Sequence, residues 1–341
     1  MPSFISYDGY AKFLDALAGE YDVLVPIKRD GQRFFRRYHG QSADLVVGEV
    51  RASDPLKTFF FRPREQVAEG FESVQPSGGK PLCIVGAKAC DLKGFKTQDF
   101  VFLGSDGEDP FYAKARKENL VIAADCTCAI DTCFCLALDV TPYPLGDFDL
   151  SLSALDEGYV VEVGSDKGQA LLANHAALFR EATADLITKR DRVRAEVTRR
   201  VEENIAENGI PKQEELEGAV QRNYDAPLWA DEAGRCVECG ACNTICPTCH
   251  CFFLCDQKDE DRMARFRLWD SCLLKDFARV AGGANPRSQL WMRLRNRFEK
   301  KFDYFPKVAG IYACTGCGRC VSACPAKIDI RSVMKRLVTD A

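Results

Sequence analysis

The sequence predicts a chain of three successive regions. Residues 1–165 are expected to form an α+β domain, because short apolar runs bounded by Gly, Pro or Asp alternate with segments of helical spacing. Residues 166–227 carry the charged, Ala-rich pattern of a helical connector. Residues 228–341 contain two copies of one cysteine motif, and the sequence around and between them has helical periodicity. The third region is therefore expected to be an α-helical domain.

Local patterns predict the elements of the first two regions. Apolar residues at helical spacing predict a helix in YAKFLDALAGEY, and residues 166–208 and 211–223 are also expected to be helical. Alternation on both sides of Asp156-Glu157-Gly158 predicts a β-hairpin. Three apolar runs predict buried strands: DVLVPIKR, PLCIVGAKACD and NLVIAADCT.

Composition narrows the class of protein. The 341 residues carry a net charge of −4, which disfavours binding to nucleic acid, and 18 of them are cysteines. The first residues show no secretory signal pattern, and no window approaches 18 uninterrupted apolar residues, so neither secretion nor a membrane span is expected. We expect a cytoplasmic protein whose reduced thiols serve metal, iron–sulfur or redox chemistry.

The two cysteine motifs both have the spacing C-x2-C-x2-C-x3-C-P. Bacterial ferredoxins with two 4Fe–4S clusters use this run, and the fourth cysteine of each run binds the other cluster. The spacing thus predicts two cubane clusters in a helical ferredoxin domain, with each fourth cysteine at the start of a helix. Structural zinc would prefer paired C-x2-C knuckles. The expected ligands are Cys236, Cys239, Cys242 and Cys324 for cluster 1, and Cys314, Cys317, Cys320 and Cys246 for cluster 2.

The segment between the motifs is longer than a small ferredoxin needs. Its pattern predicts two helices, broken at Gly282-Gly283 and Asn285-Pro286. Four further cysteines lie here, and a single helix would point those of the C-x-C-x3-C run around its axis rather than to one focus. We expect packing rather than a further cluster for these four: Cys249, Cys251, Cys255 and Cys272.

Polar residues in the same region leave two alternatives open. His250 could donate a hydrogen bond to a sulfur, or it could be a polar residue on a helix surface. The basic residues of the stretch 287–307, interleaved with aromatic residues, are expected to form a solvated face. The alternative is a docking surface for an acidic partner, or positive potential beside reduced clusters.

Several motifs in order resemble a known family. The motifs that carry the resemblance are CPTCHCFF, RLWDSC, RLRNRFEKKFDYF and CTGCGRC, with GAKACD and TCFC in the first half. The chain resembles the iron–sulfur β subunit of cytoplasmic sulfhydrogenases and, equally, the A subunit of anaerobic sulfite reductase. The resemblance implies an electron-transfer subunit of an anaerobic oxidoreductase complex. Its expected partners are a flavin subunit that handles NAD(P)H and a catalytic subunit that handles hydrogen, sulfur or sulfite.

Two other functions stay open from the residues alone. One is a self-sufficient oxidoreductase, with its own flavin or substrate site in the N-terminal domain. The other is a scaffold in which the cysteines hold zinc. The sequence shows no nucleotide-binding glycine motif and no obvious acid–base pair, so we predict no catalytic residue and favour the electron-transfer function.

The stretch DCTCAIDTCFC, residues 125–135, holds four cysteines of unusual spacing. They could form a site by themselves, or the strand before Cys126 could pair with the strand before Cys90 and bring that residue close. The family resemblance favours the second arrangement. It implies a third 4Fe–4S cluster, with Cys83 and Cys128 as thiols that are not ligands. The implied ligands are Cys90, Cys126, Cys133 and Cys135.

Overall fold

The computed structural model describes residues 1–40, 45–76, 78–104, 107–259 and 262–340. Its strands are β1 Ser3–Ser6, β2 Asp22–Arg29, β3 Gln32–Arg37, β4 Arg64–Glu69, β5 Glu72–Ser73, β6 Leu82–Ala87, β7 Leu120–Ala124, β8 Leu150–Leu155, β9 Gly158–Val163, β10 Arg180–Glu181, β11 Phe252–Asp259 and β12 Arg262–Trp269. Its α-helices are α1 Tyr7–Glu20, α2 Ala89–Phe102, α3 Pro110–Glu118, α4 Asp166–Asn174, α5 Ala184–Asn208, α6 Ala219–Arg222, α7 Leu228–Ala233, α8 Ala241–Thr244, α9 Leu290–Glu299, α10 Phe305–Ala309, α11 Arg319–Ala323 and α12 Ile330–Thr339. None of the helices in these ranges is both long and apolar enough to cross a membrane.

The N-terminal half is built on a mixed sheet of eight strands in the order β10-β1-β9-β8-β7-β6-β2-β3. The central strands β2, β6, β7 and β8 are parallel, and the others are antiparallel to their neighbours. The α+β domain, its three strand predictions and the hairpin of β8 and β9 agree with this architecture. Nearly continuous apolar runs form the central strands because both faces are covered.

Alternate residues of β6 show how the two faces are buried. Cys83 and Val85 pack on the side of α1, whereas Ile84 packs with the aromatic residues of α2 and α3 on the other side. The period of two along a strand sends neighbouring side chains to opposite faces. Cys83 therefore belongs to the core beneath α1 and does not face the other cysteines.

The connector is mostly helical but departs from the predicted helices at two places. A short 3₁₀ turn, Ala176–Leu178, and strand β10 separate α4 from α5. Residues 211–223 form the 3₁₀ turn Gln213–Leu216 and α6 rather than one helix. The α5 helix packs against β8, β9 and the 3₁₀ turn Cys135–Leu138. It therefore covers the edge of the large sheet where the N-terminal cysteines lie.

The sequence predicted an all-α insertion between the cysteine motifs, and this prediction is wrong. Strands β11 and β12 form a hairpin that joins β4 and β5 in a second sheet of four strands. The first predicted helix of the insertion is absent from the described residues, and part of it, residues 260 and 261, lies outside them. The second predicted helix is present as α9, which continues through the π-helical segment Lys300–Tyr304 into α10.

Cross-strand charge pairing explains why the sequence of this hairpin was predicted to be helical. Asp256 lies opposite Arg265 and accepts two hydrogen bonds from its guanidinium, at 2.7 and 2.9 Å. Opposite charges facing each other stabilise an antiparallel pair, but along the sequence the same density of mixed charges resembles an exposed helix. Arg267 of β12 is buried between Glu65 and Asp109, so this hairpin is also tied to the N-terminal half.

Candidate iron–sulfur sites

The structure forms a cavity at the carboxyl edge of the large sheet, here called the N-terminal cavity. Strands β6 and β7 are adjacent and parallel, so the chain leaves both at the same edge. Cys90 lies in the first turn of α2 after β6, and Cys126 follows the end of β7. Six cysteines line the cavity: Cys90, Cys126, Cys128, Cys133, Cys135 and Cys317.

The four cysteines implied for cluster 3 are thus brought together, but two others lie with them. Cys128 lines the same wall, so the geometry does not separate it from the implied ligands. Cys317 comes from the second ferredoxin motif. The remaining wall is mostly apolar and includes Val197 and Val201 of α5. A dry wall rich in thiols suits a cluster bound by thiolates.

Hydrogen bonds hold the loop that carries the last two of these cysteines. Asn204 of α5 is buried, and its Nδ2 donates to the carbonyl oxygens of Ile130 and Cys133 at 2.8 and 3.2 Å. The amide of Phe134 donates to the carbonyl oxygen of Gly316 at 2.9 Å. This loop is therefore fixed both to the connector and to the second ferredoxin motif.

A second cavity, here called the C-terminal cavity, lies between the two ferredoxin motifs. Its wall contains the whole ligand set predicted for cluster 1, including Cys324 from the distant second motif. Cys320 lines it as well. Leu273, Leu294 and Phe298 supply the apolar part of the wall.

The ligands predicted for cluster 2 are not gathered in one cavity: Cys314 and Cys246 line neither, although both are close to Cys320. Burial raises the pKa of the Cys314 thiol to about 12, and the nearby Cys320 and Cys246 contribute to the rise. Burial likewise raises the pKa of Cys320 to about 11, and the nearby Cys317 and Cys246 contribute to the rise. Since Cys317 lines the N-terminal cavity and Cys320 the C-terminal one, the second motif runs from one cavity to the other.

Within the described ranges, no three Cys, His, Asp or Glu side chains converge closely enough to bind one metal ion. A single zinc ion requires its sulfur ligands about 2.3 Å from the metal. A cubane is larger and keeps its four thiolates further apart.

One expectation about the motifs is wrong. The fourth cysteine of each run does not begin a helix: Cys246-Pro247 leads into turns, and Cys324 follows the end of α11, well before the cap of α12. Cys324 instead accepts a hydrogen bond from the amide of Ile328 at 3.3 Å. Each proline still lies where no backbone N–H is required.

Buried cations lie beside the cysteines, which agrees with the alternative that the sequence left open, positive potential beside the clusters. Lys307 is exposed, whereas the favoured expectation of a solvated face is wrong for Arg293, Arg297 and Lys301, which are buried. Their spacing of four residues places them on one side of α9 and its continuation, which is the sequence signal that could have identified them.

Lys301 makes the most direct contact with a predicted ligand. Its Nζ lies 3.4 Å from Cys246 Sγ and donates to Thr248 Oγ1 at 2.9 Å and to the carbonyl oxygen of Ala313 at 2.8 Å. Burial alone would lower the pKa of Lys301, but negative charge on the neighbouring Cys246 and Cys249 sulfurs outweighs burial and the pKa is raised. The ammonium group is therefore held charged beside Cys246, the fourth cysteine of the first motif.

Other buried cations surround the N-terminal cavity. Lys88 Nζ donates to the carbonyl oxygens of Val47 and Asp125 at 2.7 and 2.8 Å, and Arg51 donates to the carbonyl oxygen of Cys317. Arg319 of α11 forms a buried ion pair with Asp91 of α2 at 2.9 Å. Buried charges are costly unless paired. Arg319 is paired with Asp91, whereas Arg51 and Lys88 line the cavity, where a negative cluster would compensate their charge.

His250 is not on a helix surface, and it does not contact a sulfur in the described hydrogen bonds. Its Nδ1 lies 3.0 Å from the carbonyl oxygen of Thr248, and its ring packs against Phe305 with centroids 5.4 Å apart. Burial lowers the pKa of His250 to about 4. The imidazole is consequently neutral at pH 7 and serves packing.

The four remaining cysteines do not share one helix. Cys249 and Cys251 lie in the irregular segment before β11, Cys255 lies within β11, and Cys272 follows the hairpin. Cys251 and Cys272 are neighbours whose thiols each change the pKa of the other, and the same holds for Cys249 and the predicted ligand Cys246.

Comparison with known proteins shows what the C-terminal region and the whole chain are similar to. Residues 235–328 match the family model of a 4Fe-4S dicluster domain, which spans both ferredoxin motifs and the insertion. The chain is 29% identical to sulfhydrogenase 2 subunit beta of Pyrococcus furiosus over 323 residues, which are 94% of this chain and 93% of that protein. The resemblance predicted from the motifs is therefore confirmed: this is a chain with a 4Fe-4S dicluster domain that is similar, along nearly its whole length, to the β subunit of a sulfhydrogenase.

Proposed function

We propose that this chain is the electron-transfer iron–sulfur subunit of an anaerobic oxidoreductase complex. The observation that carries the proposal is the position of the second motif, whose Cys317 lines the N-terminal cavity and whose Cys320 lines the C-terminal one. Three cluster sites then follow one another without an intervening domain. Bound 4Fe–4S clusters supply one-electron redox sites.

The proposed ligand sets are those expected from the sequence. Crossing between the motifs is supported by the C-terminal cavity, where Cys324 lies with Cys236, Cys239 and Cys242. The third set is supported by the N-terminal cavity, where Cys90 and Cys126 from neighbouring strand ends face Cys133 and Cys135. Anaerobically prepared protein would carry about twelve irons, four per cubane.

The residues around the proposed cluster sites exclude water and offset the negative charge of the clusters. The apolar walls keep the thiolates dry, and burial and hydrogen bonding near a cluster determine its potential. The buried cations Lys88, Arg297 and Lys301 offset the negative charge of thiolate-bound iron. A rigid, charge-compensated surrounding lets electrons enter and leave with little rearrangement of the chain.

The sequence of sites suggests how partners are arranged. Cluster 2 is central, so cluster 3 and cluster 1 are the two terminal positions. We propose that a flavin subunit that handles NAD(P)H and a catalytic oxidoreductase subunit dock near opposite ends, and that the complex is cytoplasmic. The similarity to a protein named as a sulfhydrogenase subunit supports assembly with a catalytic partner.

Anaerobic assays of the isolated, iron-loaded chain test this function. We expect a low-potential reductant such as dithionite to bleach the visible iron–sulfur absorbance. The same chain should neither oxidise NAD(P)H nor reduce sulfite. Turnover by the chain alone, with bound flavin found in the preparation, would instead establish the self-sufficient enzyme.

A further inference from the structure

The base of the β11–β12 hairpin brings together two cysteines that no cluster requires. Phe252 pairs with Trp269 at the end of the ladder, and one step beyond it the amide of Asp270 donates to the carbonyl oxygen of Cys251 at 2.9 Å. The chain then turns, and Cys272 comes back against Cys251. Cys272 and Cys249, which lies two residues before Cys251, both contact the side-chain amide of Asn243, so the two segments lie side by side. The Cys251 and Cys272 thiols are close enough that each changes the pKa of the other.

Polar groups orient one member of this pair. Asn243 Nδ2 donates to Cys272 Sγ at 3.2 Å and to Ser271 Oγ at 2.9 Å. The other end of the same amide accepts a hydrogen bond from Arg297 Nε at 2.9 Å, which fixes its orientation. An oriented N–H donor favours the thiolate, which is the reactive form of cysteine.

The two thiols differ in access. Cys272 is buried, with 4% of its surface exposed, whereas Cys251 is only partly covered. Asn243 follows the predicted cluster 1 ligand Cys242 directly in sequence and joins it to Cys272 through one side chain. The pair therefore lies between solvent and a cluster site.

We propose that Cys251 and Cys272 form a redox-active dithiol–disulfide couple that exchanges electrons with the adjacent cluster sites. Oxidation removes one proton and one electron from each thiol and forms one S–S bond. The two electrons pass singly to two of the clusters, and the two protons leave through the exposed side of Cys251. This exchange rests on the proposed function, but formation of the disulfide itself does not.

The couple would join two-electron chemistry to one-electron carriers. A cubane exchanges one electron at a time, whereas a dithiol exchanges two. The pair would thus hold two electrons beside cluster 1 until both can be used.

The full-length, iron-loaded chain can be tested in a series of anaerobic thiol–disulfide buffers that together cover about −120 to −300 mV, the range of biological dithiols. After acid quenching and alkylation, peptide mass spectrometry should find a Cys251–Cys272 linked peptide at the oxidising end and two alkylated thiols at the reducing end. Cys251→Ser and Cys272→Ser should each lose the linked peptide, and Cys255→Ser should retain it. Wild-type protein without this peptide at any potential would overturn the proposal.

Iron analysis and coulometry separate this proposal from the others. Both variants should keep the wild-type iron content, and Cys272→Ser should take up two electrons fewer per chain than Cys255→Ser. Loss of about four irons from both variants would assign the pair to a further cluster and overturn the couple. A linked peptide in protein that binds no iron would refute the electron-transfer function while leaving the disulfide itself intact. Equal electron uptake by the two variants in iron-loaded protein would reject exchange with the clusters.

Discussion

Cys90 and Cys128 illustrate a choice between two thiols in one cavity. Both line the N-terminal cavity, but Cys90 is held in the first turn of α2 and is buried, whereas Cys128 is only half-buried. A cubane has four corners for protein ligands, and this cavity offers six sulfurs. The family resemblance selects Cys90, and the structure is compatible with that selection.

Replacement of each of these two cysteines distinguishes the ligand from the bystander. Cys90→Ala should lower the iron content by about four per chain, because a cubane with three thiolates is lost more readily. Cys128→Ala should leave the content unchanged. Iron and protein assays of anaerobically purified chains measure the difference. Equal loss from both variants would show that Cys128 is a ligand.

Lys301 provides a second test at the scale of one residue. Removing its charge in Lys301→Met should make reduction of cluster 2 harder, because no buried cation then stabilises the added electron. A unit charge about 8 Å away is worth about 2 kcal/mol at an effective dielectric constant of about 20. That energy corresponds to a fall of roughly 90 mV in a one-electron potential.

Redox titration followed by electron paramagnetic resonance measures this shift. Lys301→Arg keeps the charge and is the matched control, so its potential should stay close to that of the wild type. An equal fall in both variants would mean that lost packing, rather than lost charge, changes the potential.

At the scale of elements, α11 is the contact between the two halves of the proposed relay. Its N-cap, Gly318, has φ of 69°, and a Cβ there would lie 2.0 Å from the carbonyl oxygen of Thr132. Gly316 is similarly close to the backbone of Cys135. Only glycine permits the second motif to approach the loop of the N-terminal cavity this closely.

A pair of glycine variants tests this contact. Gly310 has a φ of 65°, but a Cβ there would meet nothing within 4 Å, so Gly310→Ala should cost only the backbone strain, about 1–2 kcal/mol. Gly318→Ala should cost more, since it also displaces the loop around Thr132, and iron at the N-terminal cavity should be lost. Thermal unfolding and iron content report both effects. Equal behaviour of the two variants would contradict the close contact.

Elements differ in how well the sequence predicted them. The buried strands β6 and β7 were identified because continuous apolar runs ending in turn residues have few other readings. The hairpin β11–β12 was missed because its stability comes from partners distant in sequence: β4 along one side, and Glu65 and Asp109 around Arg267. No local pattern reveals such pairing.

In the cluster sites too, local features were predicted from the sequence and long-range contacts were not. Motif spacing and family resemblance were enough to name the cysteines, since ligand type and spacing are local. The sequence favoured a solvated basic face and left positive potential beside the clusters as an alternative, because only the folded chain shows that Arg297 and Lys301 face the cysteines. The contact between the second motif and the N-terminal cavity also required the tertiary structure.

At the scale of the whole molecule, the proposed clusters join segments far apart in the chain. Cys236 and Cys324 line one cavity although 88 positions separate them, so a cluster there closes a long loop. Metal-bound cysteines stabilise a fold because the unfolded chain offers no preformed site. Loss of one ligand from either motif should therefore affect the other motif.

Serine replacements of the two fourth cysteines test this long-range crossing. Cys324→Ser should alter the spectrum and potential of the cluster bound by Cys236, Cys239 and Cys242, and Cys246→Ser should alter the cluster bound by Cys314, Cys317 and Cys320. To assign each spectrum, Cys239→Ser and Cys314→Ser serve as matched controls within each run. Cys324→Ser should resemble Cys239→Ser, and Cys246→Ser should resemble Cys314→Ser. If each fourth-cysteine variant instead resembles the control of its own run, the clusters are not crossed, and each motif would hold its cluster alone.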